Sequence, residues 1–217
     1  MAKSPYQQKL DEILMEIKER DKKPSLLLHA CCGPCSSYVI EYLASYFDIT
    51  ILYYNPNIYP REEYERRLSE LEDFLPRFTP AVESKVKLVK DSYQEEDFYQ
   101  AVGTRKEPEL AKEAEKGERC RRCYEFRLKR AYEYASKHDF DYFCTTLSIS
   151  PFKDAKKINE IGEGLDDGRK PFWLFSDFKK KGGFLRSLEL SEEFNLYRQQ
   201  YCGCIYSAAN KKSEKEQ

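Results

Sequence analysis

The stretch Leu26-Leu-Leu-His-Ala-Cys-Cys-Gly-Pro-Cys-Ser36 decides how this chain is read. Its leucines form an apolar run that predicts a buried strand, and the strand passes straight into Cys31, Cys32 and Cys35. Neighbouring side chains diverge, so adjacent cysteines do not easily bridge each other within the narrow geometry of a disulfide. After a buried strand they point into the crevice beyond its carboxyl end, where open α/β sheets build their sites. Two further groups, Cys120 with Cys123 and Cys202 with Cys204, bring seven of the eight cysteines into three tight clusters. A thiolate-bound metal site needs such an arrangement.

Short apolar runs alternate with helical patterns on either side of this stretch. Strands are expected at Ser25–Ala30, Ile49–Tyr54, Lys85–Lys90, Asp141–Thr146 and Pro171–Phe175. Helices are expected at Pro5–Arg20, from Pro34 to about Phe47, from Arg61 to about Leu75, and at Glu95–Val102, Lys106–Lys116, Arg121–Lys137, Ala155–Leu165 and Glu189–Gln199. Alternation of this kind predicts an α/β fold, a mostly parallel, Rossmann-like sheet of about five strands with helices on both faces. Residues 1–209 read as a single α/β domain, with a helical insertion at about 92–118, where no strand-like run occurs. The charged end, 210–217, reads as a disordered tail.

Composition narrows the function. The charged fraction of 35% exceeds the roughly 25% of ordinary domains, yet net charge is −1, so any nucleic-acid surface must be local. No apolar run of about 18 residues marks a membrane span, and the amino-terminal residues lack the apolar core of a signal peptide. A cytoplasmic location is expected, where clustered cysteines serve metals or catalysis more often than structural disulfides.

In Gly117-Glu-Arg-Cys-Arg-Arg-Cys-Tyr124, the C-x-x-C spacing lets two thiolates reach one metal or one face of a cluster. With Cys31 and Cys32 on another loop, Cys120 and Cys123 complete four thiolates, enough for a [4Fe-4S] cluster or a tetrahedral zinc. Cys35 reads as a ligand of a second metal and is the first alternative to test. Cys32-Gly-Pro-Cys35 also fits a thioredoxin-type redox pair, but that small fold offers no place for two more cysteine groups. Cys202 and Cys204 are either ligands of a second metal or a redox-active pair, since C-x-C disulfides are strained and labile. Cys144 reads as core, and His29 and His138 lack metal-ligand spacing. Arg119–Arg130 holds six basic residues and one acidic, and Asp177–Arg186 four and one, each a candidate phosphate-contacting patch or simply a solvated surface. Tyr53, Tyr54 and Tyr59 read as a stacking platform for a base or as packed aromatics.

Six ordered runs then carry a resemblance over nearly the whole chain. Leu27–Cys35, Tyr54–Pro60, Arg119–Tyr124, Thr145–Lys153, Lys181–Phe184 and Tyr197–Cys204 are similar to the motifs of the QueH-type epoxyqueuosine reductases. The resemblance implies a two-electron deoxygenation of an epoxide to an alkene on tRNA carrying epoxyqueuosine. It also implies a [4Fe-4S] cluster, a second iron ion nearby and an external low-potential electron donor. Such chemistry needs electrons at low potential and a Lewis acid for the departing oxygen. On this reading Cys31, Cys32, Cys120 and Cys123 hold the cluster, and Cys202 and Cys204 serve turnover. One rival is an iron–sulfur-dependent tRNA sulfur transferase, which needs a Ser-Gly-Gly-x-Asp-Ser phosphate loop where this chain has Cys31-Cys-Gly-Pro-Cys-Ser-Ser. The other is a zinc-stabilised RNA-binding module, which would be colourless.

Overall fold

The computed structural model describes residues 4–209. Five strands form one wholly parallel sheet: β1 (Ser25–His29), β2 (Asp48–Tyr53), β3 (Lys87–Lys90), β4 (Tyr142–Thr145) and β5 (Phe172–Trp173), in the order β3-β2-β1-β4-β5. All five lie where the apolar runs predict them, four of them trimmed at their ends and β2 shifted one residue earlier. The chain runs outward from β1 to β3 on one side, then returns to place β4 on the other. This reversal puts the switch point between β1 and β4, and the crevice beyond their carboxyl ends is where such sheets bind ligands.

Alternation along the strands divides the core into two layers. Leu26 and Leu28 of β1, Ile49, Ile51 and Tyr53 of β2, and Tyr142 and Cys144 of β4 face one way. They are covered by α1 (Pro5–Lys18), α2 (Gly33–Leu43), α3 (Arg61–Phe74), the short α4 (Thr79–Glu83) and α8 (Gly183–Glu193). Leu27, Leu52, Phe143 and Trp173 face the other way, against α6 (Glu118–Lys137) and α7 (Ala155–Leu165). The remaining helix, α5 (Glu95–Val102), leans on α6 through Phe98 and Val102, which pack with Cys123 and Cys204. Both faces of the central strands are therefore dry, which is why they read as continuous apolar runs.

Two helical expectations need correction. Lys106–Lys116 carries only a 3-10 turn at Pro108–Lys112, because just Leu110 is buried there. The carbonyls of Leu110 and Ala111 are taken instead by the Arg119 guanidinium, at 2.7 and 3.0 Å. The last helix begins six residues before Glu189 and ends at Glu193, with Asn195 in the left-handed region at φ 52°. Its start depends on Gly183: a Cβ there would lie 2.0 Å from the Phe178 carbonyl oxygen and 2.3 Å from Tyr38 Cε1, so only glycine lets α8 sit against α2. The tail expected at 210–217 lies outside the described residues. No helix among the described residues is long and apolar enough to cross a membrane.

Candidate metal centre and adjoining cavity

The carboxyl end of β1 delivers the first cysteine group into the switch-point crevice. Cys32 stands in extended conformation as the residue before α2, and Pro34 occupies that helix's first turn, where its missing N–H is no loss. The Cys32 carbonyl accepts Ser36 N at 3.3 Å and Ser36 Oγ at 2.7 Å, fixing the turn that folds Cys35 back. The Sγ atoms of Cys31, Cys32 and Cys35 consequently lie within 4.8 Å of one another, with 3.9 Å between Cys31 and Cys32. Tetrahedral thiolate ligation with metal–sulfur bonds of about 2.3 Å separates sulfurs by about 3.8 Å, so this trio can hold a metal.

The charge state within the trio is uneven. Hydrogen bonds from the Cys32 and Cys35 thiols pull Cys31 well below the ordinary thiol value, with Arg127 and Arg67 contributing. Cys32, donating toward Cys31, is pushed up to about 12, and Cys35 rises for the same reason. Gln199 Nε2 donates to Cys32 Sγ at 3.1 Å, while its own buried Oε1 finds no partner.

Cys120 and Cys123 come from the first turns of α6. Cys120 packs in the same buried cluster as Cys31 and Cys32, whereas Cys123 lies in the adjoining one with Cys204. Burial raises the Cys123 thiol. The structure therefore gathers Cys31, Cys32 and Cys35 tightly, and sets Cys120 and Cys123 beside them without closing one compact set of four. Cys35, the alternative ligand in the sequence reading, is a full member of the trio.

The third group returns from the carboxyl-terminal segment. Cys202 is held well below the ordinary thiol value, first by a hydrogen bond from the Cys204 thiol and then by Lys153, whose Nζ donates to Cys202 Sγ. Lys153 itself is buried, stays charged because of the Cys202 thiolate, and lies 6.0 Å from the Tyr124 ring. Cys202 and Cys31 share the lining of a cavity of about 560 Å³, together with Cys35, Lys153, Gln199 and Phe152. That volume lies in the range of small-ligand sites, roughly 300–1,000 Å³. The C-terminal segment is tied down by Arg67 of α3, which donates to the carbonyls of Tyr201 and Cys202 at 3.5 and 3.3 Å.

His29 has both ring nitrogens engaged within the protein. His29 Nε2 faces the Tyr54 carbonyl at 3.1 Å, and a carbonyl only accepts, so Nδ1 takes the Thr145 hydroxyl at 2.8 Å. Burial lowers this imidazole to about 4, keeping it neutral as a brace between β1 and β4. Cys144 is core, as expected, with its thiol 3.3 Å from the Leu174 carbonyl. Tyr53 and Tyr54 are buried and packed; of the three tyrosines only Tyr59 is exposed.

The basic run Arg119–Arg130 does not form the surface that its composition suggests. Arg119 and Arg127 are buried. Arg121 pairs with Glu118 and Glu125, Arg122 with Glu107 and Glu118, and Arg130 with Asp91. In the second run, Lys179 pairs with Asp177, Lys181 with Asp11 and Arg186 with Glu41. The cavity rim is different. Arg198 lines it, hydrogen-bonded among the described residues to the Ser187 carbonyl and Ser191 Oγ, and Phe152, which lines the same cavity, is 65% exposed.

Lys153, Gln199, Arg67 and Arg127 were not among the residues singled out from sequence. Lys153 and Gln199 lie inside motif runs quoted above, so position within those runs was their signal. Arg67 reads locally as an ordinary helical pair with Glu63, four residues earlier, and Arg127 as part of a basic helix face.

Comparison with known proteins adds the following. A family model described as epoxyqueuosine reductase QueH matches residues 26–210. The epoxyqueuosine reductase QueH of Staphylococcus epidermidis is 38% identical over 203 residues, covering 94% of this chain and 84% of the relative. Its counterpart in Streptococcus pyogenes is 37% identical over 203 residues, covering 94% and 78%. That of Staphylococcus aureus is 38% identical over 203 residues, covering 94% and 83%.

Proposed function

The chain belongs to the epoxyqueuosine reductase QueH family, and we propose that it reduces epoxyqueuosine carried in tRNA at the cavity beside its cysteine groups. It is an oxidoreductase of that family. The single observation carrying the placement is that Cys31, Cys35 and Cys202 line one cavity at the sheet's switch point. Removing the epoxide oxygen as water leaves an alkene and consumes two electrons and two protons.

The donor set fits a thiolate-bound iron centre. Three thiols within 4.8 Å already include one favoured as thiolate, and the buried, unpartnered Gln199 Oε1 belongs to a residue lining the same cavity. Cys31, Cys32, Cys120 and Cys123 are the proposed holders of a [4Fe-4S] cluster, with Cys35 the alternative to the α6 pair. Cys202 and Cys204, alone or with Cys35, would hold a second iron or act as a dithiol. Bound there, such a group supplies low-potential electrons and Lewis acidity toward the departing oxygen. An external low-potential donor would replenish the electrons.

The chain's own residues set the stage for this. Cys204 and Lys153 together favour the ionised form of Cys202, which suits either role of that thiol, since ligand and nucleophile are both thiolates. Gln199 orients Cys32 from the cavity side. Arg67 fixes the segment that carries Cys202. The exposed Phe152 ring and Arg198, which meets no carboxylate among the described residues, suit a base and a phosphate of an RNA loop, because single-stranded RNA is recognised by aromatic stacking and cation contacts.

Anaerobic purification with iron and zinc analysis, a visible spectrum, and turnover of an epoxyqueuosine-containing anticodon stem-loop test the proposal. A brown protein with several irons per chain that converts the stem-loop and loses its spectrum in Cys31→Ala supports it. A colourless zinc protein, or equal turnover of the free nucleoside, overturns the iron or the tRNA part respectively. Cys204→Ser then separates the two roles of the last pair: loss of one iron with the cluster spectrum retained marks a ligand, and unchanged iron marks a dithiol.

A further inference from the structure

Four cations are buried in the half of the molecule that holds the cysteines, and only one of them meets a carboxylate. Arg67 pairs with Glu63. Arg119 is taken up by two carbonyls and lies 4.9 Å from the Tyr206 ring, and Lys153 by Cys202. Arg119 leaves Nε and Nη2 unpartnered but keeps two short bonds through Nη1, whereas Arg127, 1% exposed, has only long ones. Its Nε reaches the Cys123 carbonyl at 3.4 Å, Nη1 reaches Asn55 Oδ1 at 3.4 Å, and Nη2 has no hydrogen-bond partner. Asn55 is itself anchored to the carboxyl end of β1 by donating to the Ala30 carbonyl at 2.8 Å. Arg127 is thereby fixed between that strand end and the first turns of α6.

Burial works against its charge, and Cys123, Cys31, Cys202 and Tyr124 work for it, the cysteines coming one from each of the three groups. A buried guanidinium with an unanswered N–H is costly unless an anion lies within reach. Among the described residues no carboxylate supplies that anion, which leaves the sulfurs.

We propose that Arg127 is a positioning residue of the metal–thiolate centre, the internal counter-cation shared by all three cysteine groups. Hydrogen bonds to cluster sulfurs and fixed nearby charge set the potential of iron–sulfur groups. A cation in this place favours the reduced, more negative state and makes the centre easier to reduce. The inference rests on the reading that these cysteines hold iron and sulfur.

The test compares the anaerobically purified full chain with its R127M, R127Q and R127K variants by iron content, visible spectrum and dye-mediated redox titration. In R127M the reduced fraction at a fixed potential should fall at least tenfold, a downward shift of about 59 mV for one electron, or iron should be lost. R127K should keep iron and lie nearer the wild type. R127Q removes the charge while keeping a polar amide in place of methionine's apolar chain, so it is the variant read if R127M does not fold. A wild-type chain without iron sinks the reading of the centre and this inference together. Wild type with iron, and R127Q with full iron and an unshifted potential, sinks this inference alone.

Discussion

Replacing Arg67 by Met should destabilise the chain more than any exposed substitution. The guanidinium is 1% exposed and donates to Glu63 Oε1 at 2.7 Å and to the Cys202 and Tyr201 carbonyls at 3.3 and 3.5 Å. Methionine fills much of the space but strands a buried carboxylate and two carbonyls. Breaking one side of a buried ion pair costs about 3–5 kcal/mol. Glu63 keeps the Tyr197 hydroxyl at 3.1 Å, which moderates its loss, whereas the two carbonyls have no replacement donor, so about 4 kcal/mol is expected. For 217 residues an unfolding entropy of about 2.1 cal/mol/K per residue gives about 0.46 kcal/mol/K, hence a fall in melting temperature of about 9 °C. Thermal unfolding of the metal-free protein by circular dichroism measures it, and limited proteolysis should show earlier cutting around residues 195–203. In the double variant R67M/E63L no charge is stranded, and at least half of the lost stability should return. A melting point for R67M within about 2 °C of wild type would refute the view that this pair holds the carboxyl-terminal segment.

Gly162→Ala should lower the melting temperature by about 2–7 °C through overpacking, because its Cβ would fall 2.2 Å from the buried Trp173 ring; an unchanged transition would show that β5 and α7 separate freely. Lys153→Met should move the pH at which Cys202 becomes alkylated upward in the metal-free chain, since the ammonium helps hold that thiol ionised, and Lys153→Arg should restore most of the shift; identical pH profiles for wild type and Met variant would contradict the contact. Arg121→Gln should change the affinity for an anticodon stem-loop less than about twofold, since Arg121 is already paired with two glutamates, whereas Arg198→Ala should weaken it and reduce the salt slope by about one. The reverse ranking would return the RNA contact to α6.

The sheet was legible because its central strands are buried on both faces and so appear as unbroken apolar runs; Leu26–Leu28 and Phe143–Thr145 need no partner information to be recognised. Chain order then implied the crevice where Cys31, Cys32 and Cys35 meet. The start of α8 was hidden because Gly182-Gly183 reads as a break, while in the structure the second glycine is required by Tyr38, a residue about 145 positions earlier. The charge of Arg119–Arg130 was countable, but its neutralisation was not. Asp91 and Glu107 arrive from segments whose proximity only the fold creates. The Lys153–Cys202 contact, spanning 49 residues, was invisible for the same reason.

The two flanks of the sheet carry a consequence for how copies of this chain can associate. On one flank β3 has only four residues and exposes Lys87 and Lys90; on the other, β5 has two, and Trp173 of that pair is locked under α7. Flanking strands this short, one of them lysine-bearing, give a neighbouring backbone little to pair with. Joining two sheets into one continuous ribbon is therefore disfavoured at both ends, and any contact between copies has to be made through helical surfaces, leaving the cysteine-bearing crevice clear of strand exchange.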